Sequence, residues 1–239
     1  MKSDRIFYST TSALILVIMV VGFHEFLLTG HGAGGRIIDP GVLPIVIVHG
    51  VAIMAWYVLS LIQALLIAGK NRQLHMKLGW CSAVLGPLIA VSGVMVAIRS
   101  AQGAPANMLF FGMPYRSDFV LIMLTEIVIF SLCVGAGILN RKRPEIHRAM
   151  MLAASLSLLL GATARMPWLS ALFGGDTPAG FFGPIFAFGA GLILVNSLRR
   201  RAFDRPLAVG FGATVGAYLL ALFLGATNAW QHVAVALLN

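Results

Sequence analysis

Six histidines, one acid set in the middle of an apolar run and several clusters of arginine are the residues of this chain best suited to chemistry. Imidazole is a ligand for zinc, copper, iron and nickel, and three or four converging side chains make a metal site. His24 and His49, with Glu25 and His232 as further ligands, are one candidate set for a divalent transition metal. His31 stands apart in a Gly-rich loop. His75 and His147 are the other set: a bis-histidine pair for a b-type haem, with Arg72, Lys77, Arg143 and Arg148 to meet the propionates. Glu126 is the third candidate, a proton-handling group or a polar ligand contact. No HxxxH or HExxH spacing ties any of the histidines together.

The elements that must position these side chains are apolar helices. The chain has 239 residues, 59% of them apolar and only 10% charged, against about 25% charged in ordinary soluble domains. Mean hydropathy is +0.92. A soluble globular fold and disorder are both excluded on this composition. The two cysteines, Cys81 and Cys133, lie inside apolar runs, which excludes a disulfide scaffold or a cysteine-rich zinc module. A membrane-crossing helix takes about 20 mainly apolar residues, and seven such runs are present: roughly 6–28, 43–68, 78–98, 118–139, 149–172, 180–198 and 207–227. Short breaks with Gly, Pro and basic residues separate them. The expected fold is therefore all-α, one integral membrane domain over 1–239 built as a seven-transmembrane-helix bundle. The first run lacks a cleavage site followed by a polar mature chain and reads as a retained helix.

The formal net charge of +9 is distributed in a way that speaks for membrane orientation rather than nucleic acid. Alternate helix ends collect Lys2 and Arg5; Lys70, Arg72 and Lys77; Arg141, Lys142, Arg143 and Arg148; and Arg199, Arg200, Arg201 and Arg205. That is 13 of the 17 basic residues, leaving 4 (Arg36, Arg99, Arg116 and Arg165) for the opposite side. Excess Lys and Arg in short loops marks the cytoplasmic side. The N-terminus is expected in the cytoplasm, the C-terminus outside, and the chain in a bacterial cytoplasmic (inner) membrane.

With that orientation the candidates sort by depth. His24 is about one turn, and His49 nearly two turns, from the outer end of neighbouring helices, at ~1.5 Å per residue. His75 and His147 each follow a tight basic turn and open the next helix; they are 72 residues apart, which suggests a repeat of helices 2–3 in helices 4–5. These two helices run parallel and need not touch, which suits a haem better than a bare cation. Glu126 falls near the bilayer middle, where a charge costs at least ~2.5 kcal/mol, so it is neutral, paired or facing water. Tyr57 and Ser92 lie at similar depth. Arg165, near an outer helix end, can pair with Glu25 or snorkel. Pro87 and Pro184 lie within helices, where a kink can open a cavity. The apolar loop 100–116 can act as a lid or dock a partner subunit.

Two resemblances follow from these motifs. Paired histidine ligands on alternate helices, as in helices 2 to 5, resemble the cytochrome b561-like proteins, which implies b-type haem and electron transfer. Those proteins place their histidines deeper, and helix 4 here has none to pair with His49. The pattern His49-Gly50, Trp56, Gln63, His75, Leu78-Gly79-Trp80, then Pro144-Glu145-Ile146-His147-Arg148-Ala149-Met150-Met151 and Ala164-Arg165-Met166-Pro167, resembles a group of uncharacterised bacterial multi-spanning membrane proteins over roughly residues 45–170. That likeness implies fold and location and carries no activity.

Two function classes compete: a haem or histidine-bound metal in membrane redox chemistry, with Glu126 handling a proton; and a non-catalytic membrane subunit, small transporter or lipid-binding module. The expected partners are the lipid bilayer and another membrane subunit or a second copy, with no nucleic acid. Walker, nucleophile-elbow and dinucleotide motifs are absent. The last run has no lysine for a retinal Schiff base, and six histidines are fewer than membrane di-iron hydroxylases use.

Overall fold

The computed structural model describes residues 2–32, 35 and 37–238, the side chains of Lys2 and Ser3 excepted. Arg36 and the Lys2 side chain, both counted among the bases above, lie outside the described residues. The helices are α1 (Lys2–Gly22), α2 (His24–Thr29), α3 (Leu43–Ala68), α4 (Arg72–Gln102), α5 (Val120–Leu139), α6 (Pro144–Ser157), α7 (Leu160–Thr163), α8 (Pro167–Ala171), α9 (Pro178–Arg200), α10 (Arg205–Gly225) and α11 (Asn228–Leu238). A small antiparallel hairpin, β1 (Leu109–Phe110) with β2 (Met113–Pro114), and one π turn (Tyr115–Phe119) lead into α5. Seven helical segments are long and apolar enough to cross a membrane.

Local chemistry sets the helix ends. Lys70 turns left-handed at φ 62°, after which the Asn71 side chain accepts the Leu74 amide at 3.1 Å and starts α4. Thr177 does the same for α9, accepting from Gly180 at 3.2 Å, and Asp204 for α10, accepting from Leu207 at 3.3 Å. Both of these caps are followed by a proline in the first turn, where its missing N–H is not needed. The Asn71 cap starts α4 ahead of the expected 78–98, and the helix also runs on past the far end of that range.

Two runs expected to be continuous are not. The run 6–28 divides at Phe23 into α1 and α2. The run expected over 149–172 starts earlier, at Pro144, and is interrupted after Ser157 and again before Pro167, giving α6, α7 and α8. At the first break the Leu159 amide turns to Leu156 O (3.1 Å) and the Ala162 amide to Leu159 O (3.0 Å). The carbonyls left behind are taken by tyrosines: Tyr57 donates to Ser155 O at 2.8 Å and Tyr218 to Ser157 O at 2.9 Å. Irregular backbone at this depth survives because protein side chains satisfy it.

α6 is the axis of the bundle. Every residue from Leu152 through Leu160 is buried, and α1, α5 and α10 pack around this stretch. Small residues permit the approach. A Cβ on Gly22 of α1 would stand 2.5 Å from the Ala162 carbonyl oxygen, and one on Gly210 of α10 would meet Met150 at 2.7 Å and Ala153 at 2.9 Å. Outside this core α3 packs on α1 and α4, and α4 on α5. The perimeter is apolar, with Val51, Val84, Val91, Leu132 and Phe223 all largely exposed. One end of the bundle is tied by ion pairs joining the first turns of α1 and α6 to the last turn of α9: Asp4 with Arg148 (3.2 Å) and Arg199 (2.5 Å), and Glu145 with Arg200 (2.7 Å). We call this the basic end.

Candidate functional site

At the basic end the structure brings His75 and His147 together. The turns before α4 and α6 place both near the start of their helices, and because α4, α5 and α6 pack in sequence their rings meet edge to face, with centroids 6.3 Å apart. The rings meet although α4 and α6 are each packed against α5. The His147 ring is held through one nitrogen by a backbone carbonyl. His147 Nδ1 lies 2.8 Å from Gly137 O, and since a carbonyl only accepts, that nitrogen carries the hydrogen. The His75 ring lies near the Gln63 carbonyl, and its Nδ1 is buried with no partner. His147 keeps one lone-pair nitrogen, with its tautomer fixed by the carbonyl as in metal ligands.

Gln63 is not among the candidates drawn from the sequence, and it belongs here. Both its amide nitrogen and its amide oxygen are buried without a partner, although an amide offers two donors and an acceptor. The signal available in the sequence is a single amide in the otherwise apolar stretch Leu61–Ala68.

Two of the basic residues expected to meet haem propionates, Arg72 and Arg148, differ in their surroundings. Arg72 is exposed at the start of α4, within electrostatic range of His75. Arg148 turns to α1, where it pairs with Asp4 and lies 5.2 Å from the Tyr8 ring centre. Two imidazoles on opposite sides of one ion, free or held in a haem, have ring centres ~6 Å apart, so the separation does not choose between the two.

The other histidine set is not brought together. His24 is exposed at the head of α2 and bonds back to the end of α1, Nδ1 to Val21 O at 2.7 Å. His49 faces α4 instead, with Nδ1 2.9 Å from Ser92 Oγ. Ser92 gives its own proton to Leu88 O at 2.6 Å, so His49 is the donor and serves as a tie between α3 and α4. Glu25 is half-buried in α2, and His232 is exposed on α11, a helix lying past the expected last span. His31 is exposed in the loop after α2. Among the described residues no group of three or more His, Cys, Asp or Glu side chains converges as a metal site.

Glu126 stands at mid-height on α5. Arg165, just past α7, and Tyr57 and Tyr218, from α3 and α10, lie within electrostatic range of it. Arg165 is held in place by its bond to Gly161 O (2.5 Å) and by stacking 4.2 Å from the Phe23 ring centre. The Glu126 group thus adjoins the interruption of α6. Ser92, considered for the same depth, is committed to His49 and Leu88.

No family model, curated protein or solved structure matches the chain.

Proposed function

We propose that this chain is a multi-pass protein of the bacterial cytoplasmic membrane, N-terminus inside and C-terminus outside, that holds one transition-metal ion between His75 and His147 for membrane redox chemistry. The apolar perimeter and the seven spanning-length helices support the membrane reading. The gathering of ion-paired and basic residues at one end of the bundle supports the orientation.

The observation that carries the metal reading is the meeting of the two imidazoles, His147 anchored by the Gly137 carbonyl and His75 with a buried, unpartnered Nδ1. The Gln63 amide oxygen is the third donor we assign, and water completes the shell. A nitrogen-rich site of this kind suits copper, iron, nickel or zinc, of which copper and iron change oxidation state.

Elemental analysis with electron paramagnetic and optical spectra of the purified full chain tests this. We expect about one metal ion per chain, with nitrogen hyperfine structure if copper is bound, and loss of the ion in both His75→Ala and His147→Ala. A Soret band lost in the same variants would return the assignment to haem. Protein that binds neither ion nor haem defeats the proposal. A small transporter is the second reading, favoured by the interruption of a central helix at mid-bundle.

A further inference from the structure

Between α1 and α9 an open groove runs inward from the basic end, with a volume of about 570 Å³. Ile6, Thr10 and Leu14 of α1 form one wall, and Leu192, Val195 and Arg199 of α9 the other. The groove arises because the two helices are packed elsewhere, α1 on α3 and α7, and α9 on α7, α8 and α10. At its mouth they are joined by the ion pair of Asp4 with Arg199. The walls are apolar and face the perimeter, with Ile6, Leu14 and Val195 all exposed.

Size and charge say what such a groove holds. Ile6 to Leu14 covers ~12 Å of helix axis at ~1.5 Å per residue. Over that length the volume leaves roughly half the cross-section of a helix ~10–12 Å across, so hydrocarbon chains fit it and a partner helix does not. Arg199 stands at the basic end of the groove, where its Nε donates to Asn196 Oδ1 at 3.1 Å and its guanidinium lies 5.3 Å from the Phe7 ring centre. The acids nearby are matched: Asp4, Glu145 and Asp204 pair with Arg148, Arg199 and Arg200. Beyond them Arg201 and Arg205 are exposed and Arg5 is half-exposed. No acid pairs with these three among the described residues, so the charge around the mouth is positive in surplus.

We propose that this groove is a site for an anionic phospholipid of the leaflet at the basic end, with an acyl chain lying between α1 and α9 and the phosphate meeting Arg199 and the exposed bases beside it. Basic pockets between spanning helices hold anionic headgroups in this way. The acyl chain supplies the dispersion contacts that the two walls do not make with each other, and so ties the first helix to α9 beyond the Asp4 ion pair. The inference rests on the membrane reading and is independent of the metal between His75 and His147.

The test uses phosphatidylglycerol carrying a diazirine in one acyl chain, mixed into phosphatidylcholine vesicles that hold the full chain, with photoadducts located by mass spectrometry. We expect adducts at Thr10, Leu14 and Val195 in excess over other exposed perimeter positions, and far fewer from a phosphatidylcholine probe of the same design. Unlabelled phosphatidylglycerol should compete, and inorganic phosphate should not. Val195→Trp, which fills the groove and leaves every charge in place, should abolish the groove adducts. Arg201→Gln combined with Arg205→Gln should lower the preference for the anionic probe by roughly fivefold for each base the phosphate meets. Adducts spread evenly around the perimeter, equal groove adducts from both probes, or competition by inorganic phosphate overturns the proposal. Labelling at Val84 and Leu132 but not in the groove defeats this site alone, whereas labelling nowhere defeats the membrane reading and this site with it.

Discussion

His49 shows how little a residue's type decides. An imidazole two turns inside a helix is a metal ligand in one setting and a tie in another, and here the serine it meets has already given its proton to Leu88 O. Ser92→Ala removes the acceptor and strands a partly buried ring nitrogen, which costs about 1–3 kcal/mol. The buried thiol of Cys133 makes this measurable: a thiol-reactive dye should report a lower melting temperature in Ser92→Ala than in the parent. A sharper loss is expected in Gly210→Leu, whose side chain would have to displace Met150 and Ala153; overpacking of this kind costs about 1–3 kcal/mol or more. His75 and His147 are legible as candidates because each follows a basic turn at the head of a helix. Their meeting is not, since it depends on the packing of α4, α5 and α6, which a sequence pattern does not specify. Gln63 enters the sequence reading only within a resemblance pattern and not as a site candidate, because one amide among apolar residues carries no spacing to read.

At the scale of the element, the helices follow from apolar length and caps, and α3 spans the expected 43–68. α6 departs from expectation because its interruption is written elsewhere in the chain. Nothing in Ser155-Leu156-Ser157-Leu158 forbids a helix, as glycine or proline would; the competing donors to its carbonyls are Tyr57 on α3 and Tyr218 on α10. Tyr218→Phe should therefore act at a distance in sequence. Without the hydroxyl the Ser157 carbonyl is buried and unpaired, at a cost of about 1–3 kcal/mol, unless the segment closes into a regular helix. Hydrogen–deuterium exchange separates these outcomes. Faster exchange at Leu158–Ala162 with a lower melting temperature is expected for Tyr218→Phe, and still faster exchange for Tyr57→Phe combined with it. Slower exchange there would mean that the tyrosines hold open a helix that otherwise prefers to close. α11 is invisible to a search for spanning runs because its 11 residues are too few to register as one.

At the scale of the whole molecule, the base asymmetry and the structure bear on orientation by separate routes. The count of loop residues uses charge alone, whereas the ion pairs of Asp4 and Glu145 use position, and both single out the end where α1 and α6 begin and α9 finishes. Some of that charge is neutralised within the protein, since Arg148, Arg199 and Arg200 all have acidic partners. Arg141, Lys142 and Arg143 remain exposed in the turn before α6, and exposed bases are the ones an anionic inner leaflet holds. The orientation can be read from two single cysteines introduced after Cys81, the exposed native thiol, is changed to serine. Asp176→Cys lies in the turn before α9 and spares the Thr177 cap, while Ala202→Cys lies just past the far end of the same helix; both positions are exposed. A membrane-impermeant maleimide applied to intact cells should label position 176 and leave 202 unlabelled until the cells are opened. The reverse pattern would invert the molecule, placing the His75–His147 pair at the outer face. Labelling at both positions in intact cells would mean that α9 does not cross the membrane at all.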